Sequence, residues 1–179
     1  IKTLNLRVDT VGARAEDIIK LVAADQELTG NVDNVITISG TLDKPEVVGY
    51  IHFWRGSYLG ALINGMDGDY FIEGNEIRLQ DFHINSPMVD MDLNGTIDKE
   101  TTAMNFTVEV YDIDVARFQS KLPENYPANG HGKFSGKISG DLKNPKFDGE
   151  LIADNLNFNG VEINNVNGHI SLDGNDIFM

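Results

Sequence analysis

Residues 1–79 and 101–179 of this 179-residue chain align at a constant offset of 100 without a gap. The clearest stretch pairs 38–79 with 138–179. It matches Ile38 with Ile138, Ser39 with Ser139, Gly40 with Gly140, Leu42 with Leu142, Pro45 with Pro145 and Gly49 with Gly149. Further along, Gly60, Ile63, Asn64, Gly68, Gly74, Asn75 and Ile77 recur at Gly160, Ile163, Asn164, Gly168, Gly174, Asn175 and Ile177. The conserved spacing belongs to turn glycines, asparagines and strand aliphatics, not to reactive side chains. A fixed period with matching turns specifies a repeating architecture, so function is sought in the repeat rather than at one point. The chain divides into a first repeat, 1–100, of a strand, a helix and five long strands, and a second, 101–179, incomplete and continuous with the first.

Within each copy the apolar residues alternate with polar ones. Met104, Phe106, Val108 and Val110 alternate with Asn105, Thr107 and Glu109. Val89, Met91, Leu93 and Ile97 share one face while Asp90, Asp92, Asn94 and Thr96 share the other. The pattern predicts strands near 3–10, 29–42, 47–58, 61–73, 76–85, 88–98, 103–111, 131–142, 147–158, 161–172 and 176–179. Turn chemistry separates them: Asp43-Lys44-Pro45, Gly74-Asn75, Ser86-Pro87, Asn144-Pro145 and Gly174-Asn175. Each copy carries one helical interruption, over 15–24 with Ile18, Ile19 and Val22 on one side, and over 114–122 with Val115, Phe118 and Leu122. Pro123 stops the second. Glycines inside strands, among them Gly49, Gly95 and Gly149, point to bulges or coiling.

A mainly β fold of long strands follows, with one face apolar and the other polar and acidic. Such a sheet does not stay flat in water, because each exposed apolar side chain forgoes roughly 1.5–3 kcal/mol of burial. It packs on a second sheet as a dry sandwich or curls around an apolar channel, and periodicity leaves both open.

The net charge of −14 and a pI near 4.5 argue against nucleic acid and anionic lipid headgroups as partners. With 41% hydrophobic residues the chain is not a disordered acidic tail. No apolar run approaches the ~20 residues of a membrane span. There are no cysteines, hence no disulfide or thiol chemistry. Beginning at Ile1 and ending at Met179 inside an expected strand, the chain reads as a segment of something longer.

Candidate chemistry is sparse. His52, His83, His131 and His169 lack the spacing of a zinc site. Asp90 and Asp92 imitate the carboxylate pair of a glycosidase, but on a strand face whose polarity solubility alone explains. Asp67-Gly68-Asp69 and Asp173-Gly174-Asn175-Asp176 resemble pieces of calcium loops, without the bidentate Glu, and fall at expected hairpins. Ser57 and Ser86 have no nucleophile elbow around them. Trp54-Arg55-Gly56-Ser57-Tyr58 is the most aromatic patch, read as sheet packing or as a surface for a sugar or a protein. No active site, metal site or cofactor is expected.

The run from Ile38-Ser39-Gly40-Thr41-Leu42-Asp43-Lys44-Pro45 to Gly49, repeated as Ile138-Ser139-Gly140-Asp141-Leu142-Lys143-Asn144-Pro145 to Gly149, resembles the AsmA-like superfamily, and within it the TamB-type proteins. Val110-Tyr111-Asp112-Ile113-Asp114-Val115-Ala116-Arg117-Phe118 and the Trp54–Tyr58 strand are similar to that family's patterns too. The resemblance implies a long periplasmic envelope protein anchored in the inner membrane. Its stacked repeats form a curved sheet, the β-taco, whose apolar groove carries phospholipid acyl chains towards the outer membrane. It also implies docking to an Omp85-type outer-membrane barrel through another part of the parent protein, and a link to protein secretion by autotransporter assembly.

On that reading the groove is lined by Ile36, Ile38, Ile51, Phe53, Ile77, Leu79, Val89, Met91, Leu93, Ile97, Met104, Phe106, Val108, Phe134, Ile138, Leu151, Ile170 and Leu172. An acyl chain needs only a continuous apolar surface, which a repeat without polar constellations supplies. The competing expectation is an acidic β-repeat adhesin or scaffold binding glycan, calcium or protein through its turns. A carboxylate hydrolase is the weakest.

Overall fold

Alternation of period two becomes a file of antiparallel strands, each pairing with the next. The structure, a computed structural model, describes residues 3–17, 28–58, 60–116, 128–141, 143–173 and 176–178. Its strands are β1 (Leu6–Arg14), β2 (Leu28–Gly40), β3 (Pro45–Tyr58), β4 (Ala61–Glu73), β5 (Glu76–Asn85) and β6 (Val89–Asp98). They continue with β7 (Ala103–Asp114), β8 (Ala128–Asp141), β9 (Pro145–Phe158), β10 (Val161–Ile163), β11 (Val166–Asp173) and β12 (Asp176–Phe178). All belong to one antiparallel sheet in chain order, open at β1 and β12. β10 and β11 lie end to end along the same edge of β9.

Strand boundaries repeat with the sequence. β3 and β9 span the same positions 100 residues apart, β4 and β10 begin alike, β4 and β11 end alike, and β5 and β12 begin alike. The turn before β3 is closed by Lys44 N–H donating to the Thr41 carbonyl (3.2 Å) and Oγ1 (3.1 Å). In the second copy the Asp141 carboxylate accepts from the amides of Lys143 (2.8 Å) and Asn144 (2.9 Å). Proline then starts the next strand, where its fixed φ and missing N–H are tolerated.

Register slips by one residue once in each of five alternate strands, near Gly12 in β1, Arg55 in β3, Asp81 in β5, Tyr111 in β7 and Asn155 in β9. Arg55, Asp81 and Asn155 have φ of 53°, 49° and 56°. Each bulge adds a residue, so the alternation restarts out of phase.

Some expectations change. Asp67-Gly68-Asp69 is not at a hairpin; it lies mid-strand in β4, with Gly68 beside the Asp81 bulge. Strand 161–172 is broken at 164–165, where Asn165 adopts φ 58°. Only residues 15–17 of the first expected helix are seen as a helical turn. In the second copy β7 runs through Asp114 and a short 3₁₀ turn covers 115–116. The remainder of both helices lies outside the described residues. No helix among the described residues is long and apolar enough to cross a membrane.

Burial is shallow. Among the described residues eight hydrophobic side chains are buried, six of them in two clusters. Val32, Phe53 and Ala15 form the first, over β2, β3 and the helical turn; Phe106, Val108 and Val110 on β7 form the second.

Candidate functional site

Residues directly opposite in an antiparallel pair point to the same side, so register assigns every side chain to a face. One row runs Leu6, Ile38, Val47, Ile72, Ile77, Ile97 and Met104 across seven strands. The next continues Ile36, Gly49, Tyr70, Leu79, Gly95, Phe106, Ile138, Phe147 and Leu172. Two further rows pass through Ile51, Phe82, Leu93, Val108 and Ile170, and through Phe53, Met66, Ile84, Met91, Val110, Phe134 and Leu151. Val89 pairs with Ile113 at the end of the same face. Seventeen of the eighteen residues named from the sequence therefore share one side of the sheet, and Leu172 holds a register position in the second row.

Sequence reasoning missed several members of this face. Phe82, Ile84 and Ile113 lie just beyond the Asp81 and Tyr111 bulges, where simple alternation assigns them to the wrong side. The only signal was a spacing of three, as in Leu79 to Phe82 and Val110 to Ile113. Val47, Ile72 and Phe147 kept the alternation and were passed over.

In-strand glycines on this face have a steric cause. Aromatic rings lie across them: Phe53 over Gly30 and Gly56, Tyr70 over Gly49, Phe82 over Gly68, Phe106 over Gly95, and Phe134 over Gly136 and Gly149. A Cβ at Gly49 would sit 2.3 Å from the Tyr70 ring. Rings thus cover their own sheet: Phe53, Phe82 and Phe106 are buried, and Tyr70 and Phe134 are half-buried. The Tyr70 hydroxyl donates to Oδ1 of Asn34, the residue opposite Ile51, at 3.0 Å. Burial pushes the Tyr70 phenol above its usual pKa, so it stays a neutral donor.

The opposite face carries the charge. A cross-strand row joins Asp33, His52, Asp67, His83, Asp92, Glu109, Ser135, Glu150 and His169. His83 Nδ1 lies 2.6 Å from Asp92 and Nε2 3.3 Å from Asp90, while the Tyr111 hydroxyl donates to the second Asp92 oxygen. The Asp92 bond raises the His83 pKa. Asp112 raises that of His131, and Glu150 followed by Asp148 raises that of His169. Asp92 is lowered, first by the Tyr111 hydroxyl and also by His83. These pairs account for Asp90 and Asp92 as partners of a histidine. A cleft of about 720 Å³ at the hairpin ends is lined by Asp43, Glu46, Glu73, Asn75 and Glu76, away from the apolar rows. Among the described residues no group of three or more His, Cys, Asp or Glu is arranged to hold a metal ion.

Compared with protein-family models, curated proteins and solved structures, the chain has no significant match.

Proposed function

We propose that the chain is a non-enzymatic segment of a cell-envelope protein whose apolar sheet face curls into a groove carrying phospholipid acyl chains between inner and outer membranes. The observation that carries this reading is the set of cross-strand rows of aliphatic and aromatic residues, in which Leu79, Met91, Leu93, Ile97 and Ile138 are only partly buried. The evenly spaced bulges support curvature, since each bends its strand and adds right-handed twist.

The chemistry suits an acyl chain. A chain of ~16 carbons held in water gives up roughly 12 kcal/mol of burial, and a smooth hydrocarbon surface restores it without directed bonds. Eleven strands spaced ~4.8 Å apart extend roughly 48 Å across the sheet, longer than one bilayer leaflet. Rings flattened over glycines leave low relief, and the rows hold no charged side chain to trap a headgroup. The resemblance to AsmA-like, TamB-type proteins supplies the rest: periplasmic location, an inner-membrane anchor, and an Omp85-type barrel met through another part of the parent, with a contribution to outer-membrane protein assembly.

Purification without detergent, followed by organic extraction and mass spectrometry, tests the proposal. Phospholipid near equimolar with protein is expected, lost in Leu93→Asp and Phe106→Asp variants and retained in Asp92→Asn on the opposite face. Circular dichroism establishes that the variants remain β-folded. Lipid retained by folded variants with a charged groove would sink the proposal.

A further inference from the structure

The two copies have different acidic faces, and the repeat serves as its own control. On β3 the residues turned away from the apolar rows are Val48, Tyr50, His52 and Trp54, against Asp148, Glu150, Ile152 and Asp154 at the same places on β9. β2 sets Val35 opposite Tyr50, where β8 has Ser135 opposite Glu150. β4 adds Phe71 opposite Val48. The sheet therefore folds with charged residues at these positions, and nothing in the repeat requires aromatic ones.

These side chains form a strip along the strand. Val48 is 45% and Tyr50 43% exposed. His52 and Trp54 stack with ring centroids 5.1 Å apart. Asp33 and Asp67 flank His52 on the neighbouring strands, and Asp69 flanks Tyr50. The Tyr50 hydroxyl donates to Asp67 at 3.4 Å, and the Arg78 guanidinium carbon already lies 4.5 Å over the Phe71 ring. Apolar and aromatic residues at the centre with charge at the rim is the anatomy of a protein interface. A rim of carboxylates on a chain of net charge −14 selects a basic partner.

We propose that the outer side of β2–β4 is a docking surface for a cationic segment of a partner protein, with Lys or Arg side chains laid over Tyr50 and Trp54 and paired with Asp67 and Asp69. This surface lies on the opposite side of the sheet from the apolar rows and stands independently of lipid carriage. Cation–π contact and carboxylate pairing reinforce each other, and Arg engages both through its planar guanidinium.

Trp54 is the only tryptophan, so its emission reports on the strip directly. Titration of the whole chain with hexa-arginine amide is expected to change that emission saturably. Val48→Asp combined with Tyr50→Glu places the second copy's own residues on β3 and keeps Trp54. It is expected to weaken binding by roughly fivefold or more, although it adds two negative charges. Asp67→Asn with Asp69→Asn is expected to weaken binding as well. Unchanged or tighter binding to the Val48/Tyr50 variant would mean diffuse attraction and overturn the proposal. So would the absence of a saturable response, or a saturable response to cellohexaose without one to hexa-arginine, which would make the strip a glycan surface.

Discussion

At the scale of single residues, the histidines are the informative groups. His83, His131 and His169 each lie against a carboxylate of a neighbouring strand, and each has its pKa raised above the ordinary 6.5. A group whose folded pKa is raised contributes stability that is complete below its unfolded pKa and lost as pH rises through the folded value. Asp92 has the opposite sign: its contribution is present above the carboxylate range and lost as pH falls through its lowered pKa. Stability is therefore expected to peak in weak acid. Urea midpoints at about pH 6 should exceed those at about pH 8, and His83→Asn should shrink the difference. A wild-type midpoint that does not fall between these two pH values would contradict the pairing geometry. The exposure of these groups keeps each effect small.

Elements are punctuated by backbone conformation and by charge. Gly40 and Gly140 both sit at φ 87°, and a Cβ would meet the Lys44 carbonyl at 2.5 Å or the Asn144 carbonyl at 2.4 Å. Alanine at either position is expected to cost about 1–3 kcal/mol by urea denaturation, similarly in both copies. Arg55 occupies the left-handed region where the second copy has Asn155. Arg55→Asn should therefore stabilise by a few tenths to about 1 kcal/mol, since Asn tolerates that region better. Glu46, Glu73, Glu76 and Asp98 face one another in a single cross-strand row. Like charges directly opposite are unfavourable, so Glu73→Lys is expected to raise stability by roughly 0.5–1 kcal/mol at low salt.

For the molecule as a whole, each strand packs chiefly on its neighbours in the sheet, which makes stability nearly one-dimensional. Damage in one copy should stay there. Gly149 lies opposite Gly136 beneath the Phe134 ring, so Gly149→Val is expected to abolish amide-exchange protection over β8–β11 while β2–β5 keep theirs. Uniform loss along the chain would instead mean one cooperative unit. The proposed open groove also predicts native-state binding of the dye ANS, displaced by phospholipid; a folded, lipid-free chain that leaves the dye dark would count against it.

The amino-acid sequence by itself determined the period, the positions of most strands and the alternation that sets Met104, Phe106 and Val108 on one face. Each depends on local alternation and turn chemistry, as in 61–73 and 76–85, which coincide with β4 and β5. Tertiary structure decided the rest. Where a bulge adds a residue, alternation restarts, so the placement of Phe82 and Ile113 depends on the partner strand and not on their own neighbours. The Asp67-Gly68-Asp69 run looked like a turn because its composition is that of one, yet cross-strand pairing holds it mid-strand under Phe82. The histidine–carboxylate contacts join residues 7 to 21 apart in sequence, and only register brings them together. Whether an alternating sheet is covered or left open is a property of the number and order of its strands. No single strand encodes it, because each has the same two faces in either arrangement.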